Sequence, residues 1–114
     1  MANINAYPIF EQWYKTNIYI MERCEKMPKS TRFTIANRII NLSLEITELL
    51  IEAVYTKQRH EKLVKVNLNL EKLRVFFRIG KDKGYISFEQ YAFISNEINT
   101  AGKMCGGWLK NEKN

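Results

Sequence analysis

Between Ile35 and Ala53, the residues Ile35, Ile39, Leu42, Ile46, Leu49 and Ala53 recur at alternating steps of four and three. Such spacing keeps returning to one side of an α-helix, leaving a narrow apolar stripe that has to be buried against other helices. The next long stretch repeats the device, with Leu63, Val66, Leu70, Leu73 and Phe77 spaced three, four, three and four. Neither stretch shows the alternation at period two that a half-buried strand requires. Two helices with one seam each cannot close a core by themselves. The rest of the chain must supply the other walls.

Both flanks do so. A first helix is expected over about 8–26, opened by Pro8 in its first turn and striped by Phe10, Trp13, Ile20, Cys24 and Met27. It stops at "MPKS", because a residue before proline avoids helical geometry. The second helix spans about 31–56, with Ser30 or Thr31 as its N-cap. A polar "TKQRHEK" connection leads to the third, over about 61–80. "GKDKGY" then breaks the chain before Ser87-Phe88-Glu89-Gln90, a capping box that opens a fourth helix over about 87–108. In "AGKMCGGW", Gly102 and Gly106 stand four apart and would offer a bare face to another backbone. Gly106–Gly107 would end the helix in a left-handed turn, leaving residues 110–114 frayed. At 114 residues, one core is all the chain can bury. The expectation is an all-α, up-and-down antiparallel four-helix bundle forming a single domain over 1–114.

The third helix has more apolar surface than such a bundle can use. Val64, Leu68, Val75 and Ile79 fall roughly opposite its seam at about 100° per residue. A helix apolar on two faces is usually buried on both. These four residues are therefore the expected interface of a homo-oligomer. The second helix carries a similar off-seam set: Phe33, Ile40, Leu44, Ile51 and Val54.

Residues that could carry chemistry are sparse. Glu45, Glu48 and Glu52 have helical spacing, but the histidine that di-iron bundles need is missing beside them. Cys24 and Cys105 lie in no CxxC or Cys/His pattern, and read as free thiols between helices. The lone His60 reads as a solvated loop residue. Neither a phosphate-binding loop nor a nucleophile elbow is present. The chain is expected to be no enzyme, with no metal and no cofactor. The N-terminus shows no secretory pattern and no segment would span a membrane, so an intracellular, cytoplasmic protein without a membrane partner is expected.

The formal charge of +6 is concentrated in one place. Acidic and basic residues cancel over 1–56 and again over 84–114, so the whole excess lies between Lys57 and Lys83. On the third helix, Lys62, Lys65 and Lys72 occupy one flank between the two apolar faces, while Arg74 and Arg78 occupy the other. Lys81 and Lys83 extend the charge into the following loop, and Lys29 and Arg32 of the first interhelix turn can join it. Such a cluster suits phosphate groups and points to nucleic acid, with contacts to the backbone rather than to the bases. The bland alternative pairs these cations with Glu45, Glu48 and Glu52.

Four stretches, "KMPKSTRFT", "LEKLRVFFRI", "ISFEQY" and "GKMCGGWLK", come in one order across most of the chain. Together they resemble the Avd family, accessory proteins of diversity-generating retroelements. A looser resemblance is to four-helix proteins encoded in ribosomal-RNA intervening sequences. The Avd resemblance implies a basic four-helix bundle assembled as a ring-shaped homopentamer. It also implies partnership with a reverse transcriptase and with RNA or DNA during mutagenic cDNA synthesis. It draws attention to Pro28, Lys29, Arg32, Arg74, Arg78, Gly106, Gly107 and Trp108. The competing expectation is a protein–protein adaptor of the intervening-sequence type that binds no nucleic acid.

Overall fold

The computed structural model describes residues 3–112 and places four antiparallel α-helices in a bundle of 43 × 22 × 21 Å. Helix α1 spans Pro8–Glu25, α2 Ile35–Tyr55, α3 Arg59–Asp82 and α4 Phe88–Asn111. No strand occurs among the described residues. Each helix packs on its two neighbours in the cyclic order α1, α2, α3, α4.

The seams seen in the sequence form the core. Ile39, Ile46, Leu49 and Ala53 of α2 are buried with Leu63, Val66, Leu70, Leu73 and Phe77 of α3. Ile35 and Leu42 are half-buried at its edge. Trp13, Ile20, Cys24 and Met27 enter from the α1 side, and Ile94, Ile98, Ala101 and Cys105 from α4. Filling the interior with such side chains is the main stabilising term, at roughly 1.5–3 kcal/mol for each large one fully buried. Hydrogen bonds then tie each adjacent pair of helices. Trp13 Nε1 donates to the Ser43 carbonyl at 3.1 Å, joining α1 to α2. Gln12 Nε2 donates to the Glu97 carbonyl at 3.0 Å, joining α1 to α4. Cys105 Sγ reaches the Leu63 carbonyl at 3.4 Å between α4 and α3. The buried Asn69 of α3 donates to the Glu45 carboxylate of α2.

Three helix ends differ from the sequence-based expectation. Neither Ser30 nor Thr31 caps α2. After the extended Pro28, residues Lys29–Thr31 make a 3-10 turn, and the buried Thr31 donates its hydroxyl back to the Pro28 carbonyl at 2.7 Å. Helix α2 therefore starts only at Ile35. At its other end, α2 is separated from α3 by residues 56–58 alone. Arg59 in the first turn of α3 donates Nη2 to the Val54 carbonyl at 3.1 Å, satisfying an orphan acceptor at the end of α2. His60 consequently lies in the first turn of α3, half-buried, and not in a solvated loop.

The third difference concerns glycine. Helix α4 runs through Gly106 and Gly107 to Asn111, because both keep helical geometry and Glu112 caps the end. Among the described residues nothing lies within 4 Å of where a Cβ would stand on Gly102, Gly106 or Gly107, so none of their backbone uses the bare face. Glu112 also fixes much of the stretch expected to fray, since its carboxylate takes Trp108 Nε1 at 3.0 Å and Arg59 Nη1 at 3.5 Å. The expected fraying of 113–114 lies outside the described residues. The glycine that does turn the chain is Gly84, at φ +76°. There the Tyr85 amide donates to Gly80 and the Gly84 amide to Lys81, which is a Schellman motif. The capping box that follows forms as expected, with Gln90 N to Ser87 Oγ at 3.0 Å and Ser87 N to Gln90 Oε1 at 2.9 Å.

The two kinds of glycine predict opposite responses. Gly84→Ala forces a side chain into left-handed geometry and should cost about 1–2 kcal/mol. Gly106→Ala removes backbone entropy from the unfolded chain in an open helical site and should gain about 0.5–1 kcal/mol. Urea unfolding of the two variants beside the parent measures both signs.

Candidate nucleic-acid interface

Helix α3 presents its cations along the two edges that flank its buried seam. Lys62 and Lys72 lie toward α2, and Arg74 and Lys81 toward α4. Three of the nine cations picked from the sequence are held by carboxylates. Lys62 Nζ sits 3.0 Å from Glu52 Oε1, so for this residue the bland pairing with α2 is realised. Arg74 Nη2 sits 3.0 Å from Glu71 Oε1 on its own helix, and Nη1 donates to the Asn99 side chain of α4. Lys81 Nζ lies 3.3 Å from Asp82 Oδ1 and 4.8 Å from the centre of the Tyr91 ring. Lys81 is thus inside the last turn of α3, not in the loop.

The other six, Lys29, Arg32, Lys65, Lys72, Arg78 and Lys83, are exposed and form no ion pair among the described residues. Their placement follows from the up-and-down topology, which puts the α1–α2 and α3–α4 turns at the same end. The contact is direct: a Cβ on Gly80 would stand 4.0 Å from Met27 Cε and 3.9 Å from Ile86 Cγ1. Lys29 and Arg32 of the first turn therefore share one end of the bundle with Lys81 and Lys83. That end also carries the negative pole of the α3 dipole, which favours cations there.

A residue missed in the sequence reading joins this surface. Arg38 of α2 lines a groove between α2 and α3 together with Asn37, Asn41, Leu42, Glu45, Lys72 and Phe76, and the groove encloses about 650 Å³. Arg38 is exposed and without an ion pair among the described residues. No local pattern marks it, because its proximity to Lys72 depends on how α2 and α3 are registered.

The proposed contact face of α3 stays uncovered by the chain's own core. Val64, Leu68, Val75 and Ile79 are between 43 and 55% exposed. The off-seam set of α2 divides: Val54 is buried, Ile40 packs on the core, Leu44 and Ile51 remain exposed, and Phe33 is 86% exposed. Trp108 stacks half-buried on Tyr7, with centroids 4.8 Å apart.

Among the described residues no three His, Cys, Asp or Glu side chains come together as a metal site. Glu45 and Glu52 instead take the Asn69 amide and Lys62. No helix of the described residues is long and apolar enough to cross a membrane. Burial pushes the thiol of Cys24 up to about 12, with the nearby Glu25 charge adding to the effect, and that of Cys105 up to about 11. Both are therefore neutral and unreactive at physiological pH. A thiol reagent at pH 8 should label neither cysteine in the folded protein and both in guanidinium. Because an unfolded thiol loses its proton near 9, stability should fall as the pH rises above that value. Alkaline urea titrations of the parent and of Cys24→Ala measure this fall.

The comparisons with known proteins bear on the fold and on the family. The solved structure of a protein of unknown function from the S23 ribosomal protein family of Bacteroides thetaiotaomicron superposes with a TM-score of 0.83. It covers 90% of this chain and 96% of its own at 16% identity, a likeness of fold alone. No curated protein matches the sequence. The model of the family described as bAvd-like matches residues 9–112, from the first turn of α1 to the cap of α4, and the chain belongs to that family.

Proposed function

We propose that this protein is a basic accessory subunit of a diversity-generating retroelement, acting in the cytoplasm. It binds RNA or DNA and the element's reverse transcriptase during mutagenic cDNA synthesis. The observation that carries the reading is the set of exposed cations without carboxylate partners among the described residues, Lys65, Lys72 and Arg78 on α3 with Lys29, Arg32 and Lys83 at the adjoining end. A basic residue already paired to a carboxylate must exchange that contact for a phosphate and so gains less from it. An unpaired one releases a condensed counterion when it meets one, which is the main source of sequence-independent affinity. Membership of the bAvd-like family supports the same role.

In this reading the protein works as a ring of copies, five by family resemblance, joined through the exposed Val64, Leu68, Val75 and Ile79. Repeating a weak phosphate-binding patch around a ring raises avidity without any new contact. The polymerase supplies the chemistry, and this chain holds the nucleic acid beside it. Val75→Asp places a charge in the apolar face and should reduce the mass measured by light scattering to that of smaller species.

The cations separate nucleic-acid binding from a purely protein-docking role. In gel-shift titrations with RNA, neutralising Lys65, Lys72 and Arg78 together should weaken binding. It should also lower the magnitude of the salt slope by about three per protomer engaged. Neutralising the paired Lys62, Arg74 and Lys81 should do less. A parent protein that shifts neither RNA nor DNA at moderate salt would favour the adaptor reading.

A further inference from the structure

Among the described residues Phe33 is the most exposed large apolar side chain, 86% open to solvent. It follows Arg32 in the turn that leads into α2, and it lines a groove of about 440 Å³ whose other walls include Arg38 and Phe76. The same Arg38 and Phe76 line the larger α2–α3 groove, where they meet Asn37, Asn41 and Lys72. The two hollows therefore form one continuous surface, with Phe33 in the smaller, Arg38 and Phe76 shared, and the amides, Lys72 and the Glu45 carboxylate in the larger.

We infer that this surface binds an unpaired stretch of nucleic acid, with a base stacked on Phe33 and the backbone held by Arg38 and Lys72. The inference rests on the proposed nucleic-acid role and narrows it to single strands. Each part has the required chemistry. Aromatic rings stack on the π-face that every unpaired base exposes, and a duplex hides those faces. Arg38 and Lys72 have no ion pair among the described residues and offer positive charge to phosphates. Asn37 and Asn41 stand one turn apart on α2, and carboxamides can both donate to and accept from base edges. The groove volume of about 650 Å³ falls within the roughly 300–1,000 Å³ typical of small-ligand pockets, which is room for a nucleotide. A purely apolar partner would not use the cations or the amides. That favours nucleic acid over a second protein, although Ile79, one of the proposed subunit contacts, lies on the same groove.

Fluorescence anisotropy with a short mixed-sequence RNA, single-stranded or annealed to its complement, tests the inference. The parent protein should prefer the single strand. Phe33→Ala should weaken single-strand binding by about tenfold or more and leave duplex binding unchanged. Asn37→Ala with Asn41→Ala should weaken single-strand binding selectively as well, whereas Lys65→Ala should weaken both probes alike. Circular dichroism and light scattering of Phe33→Ala should match the parent. The inference is overturned if the parent binds duplex as tightly as single strand, or if Phe33→Ala binds the single strand unimpaired. It is equally overturned if Phe33→Ala loses mass by light scattering, because Phe33 would then be a subunit contact. A parent that binds neither probe overturns this inference and the proposed function together. Binding that ignores Phe33 but falls with Lys65, Lys72 and Arg78 overturns this inference alone.

Discussion

The packing of the α2 seam on the α3 seam sets the position of everything else in this protein. Leu63, Val66, Leu70, Leu73 and Phe77 can all be buried only if one side of α3 faces the bundle along its whole length. That choice leaves Val64, Leu68, Val75 and Ile79 facing away, since side chains at helical spacing cannot turn to both sides. It also sends the cations of α3 to the two edges between the faces, where long side chains reach water past their apolar stems. Core burial, the uncovered apolar face and the placement of charge are three consequences of one helix orientation.

Much of this could be read in the sequence because it depends on short-range spacing. The seams of α2 and α3 and the Ser87–Gln90 capping box involve residues no more than four apart at each step, and they appear as expected. What could not be read depends on partners distant in the chain or on competition between local options. Thr31 has a capping side chain, yet the extended Pro28 places its own carbonyl within reach, and the hydroxyl takes that bond instead. Gly106 and Gly107 can end a helix, but Glu112 just beyond them binds Trp108 and Arg59, so α4 continues to it. The tight α2–α3 turn rests on Arg59 reaching the Val54 carbonyl, a bond that no hydropathy pattern announces.

The candidate interface was legible in the same uneven way. Its charge excess is a property of a local segment, and α3 does carry it on two edges. Which cations are free is decided by register between helices. Lys62 falls beside Glu52 and is occupied, while Lys65, one turn further, has no such partner among the described residues. Arg74 and Lys81 find acids on their own helix, at Glu71 and Asp82, which the sequence displayed but its charge sum concealed. Exposed pairs of this kind are worth little, about 0–1 kcal/mol, so a phosphate can compete for either cation. The six unpaired cations meet no such competition.

The core also shapes the interface through one buried polar contact. Asn69 is enclosed on α3, and an amide left unpaired there would cost about 1–3 kcal/mol. It is satisfied by the Glu45 carboxylate of α2, the acidic side chain that lines the same groove as Arg38 and Lys72. Glu45 is thus engaged by a neutral donor rather than by either cation. The bond to a neutral amide leaves the Glu45 charge in place, so the groove lining carries two cations, Arg38 and Lys72, against one carboxylate. The requirement to satisfy a buried amide in the core therefore helps to hold this carboxylate out of an ion pair with either cation.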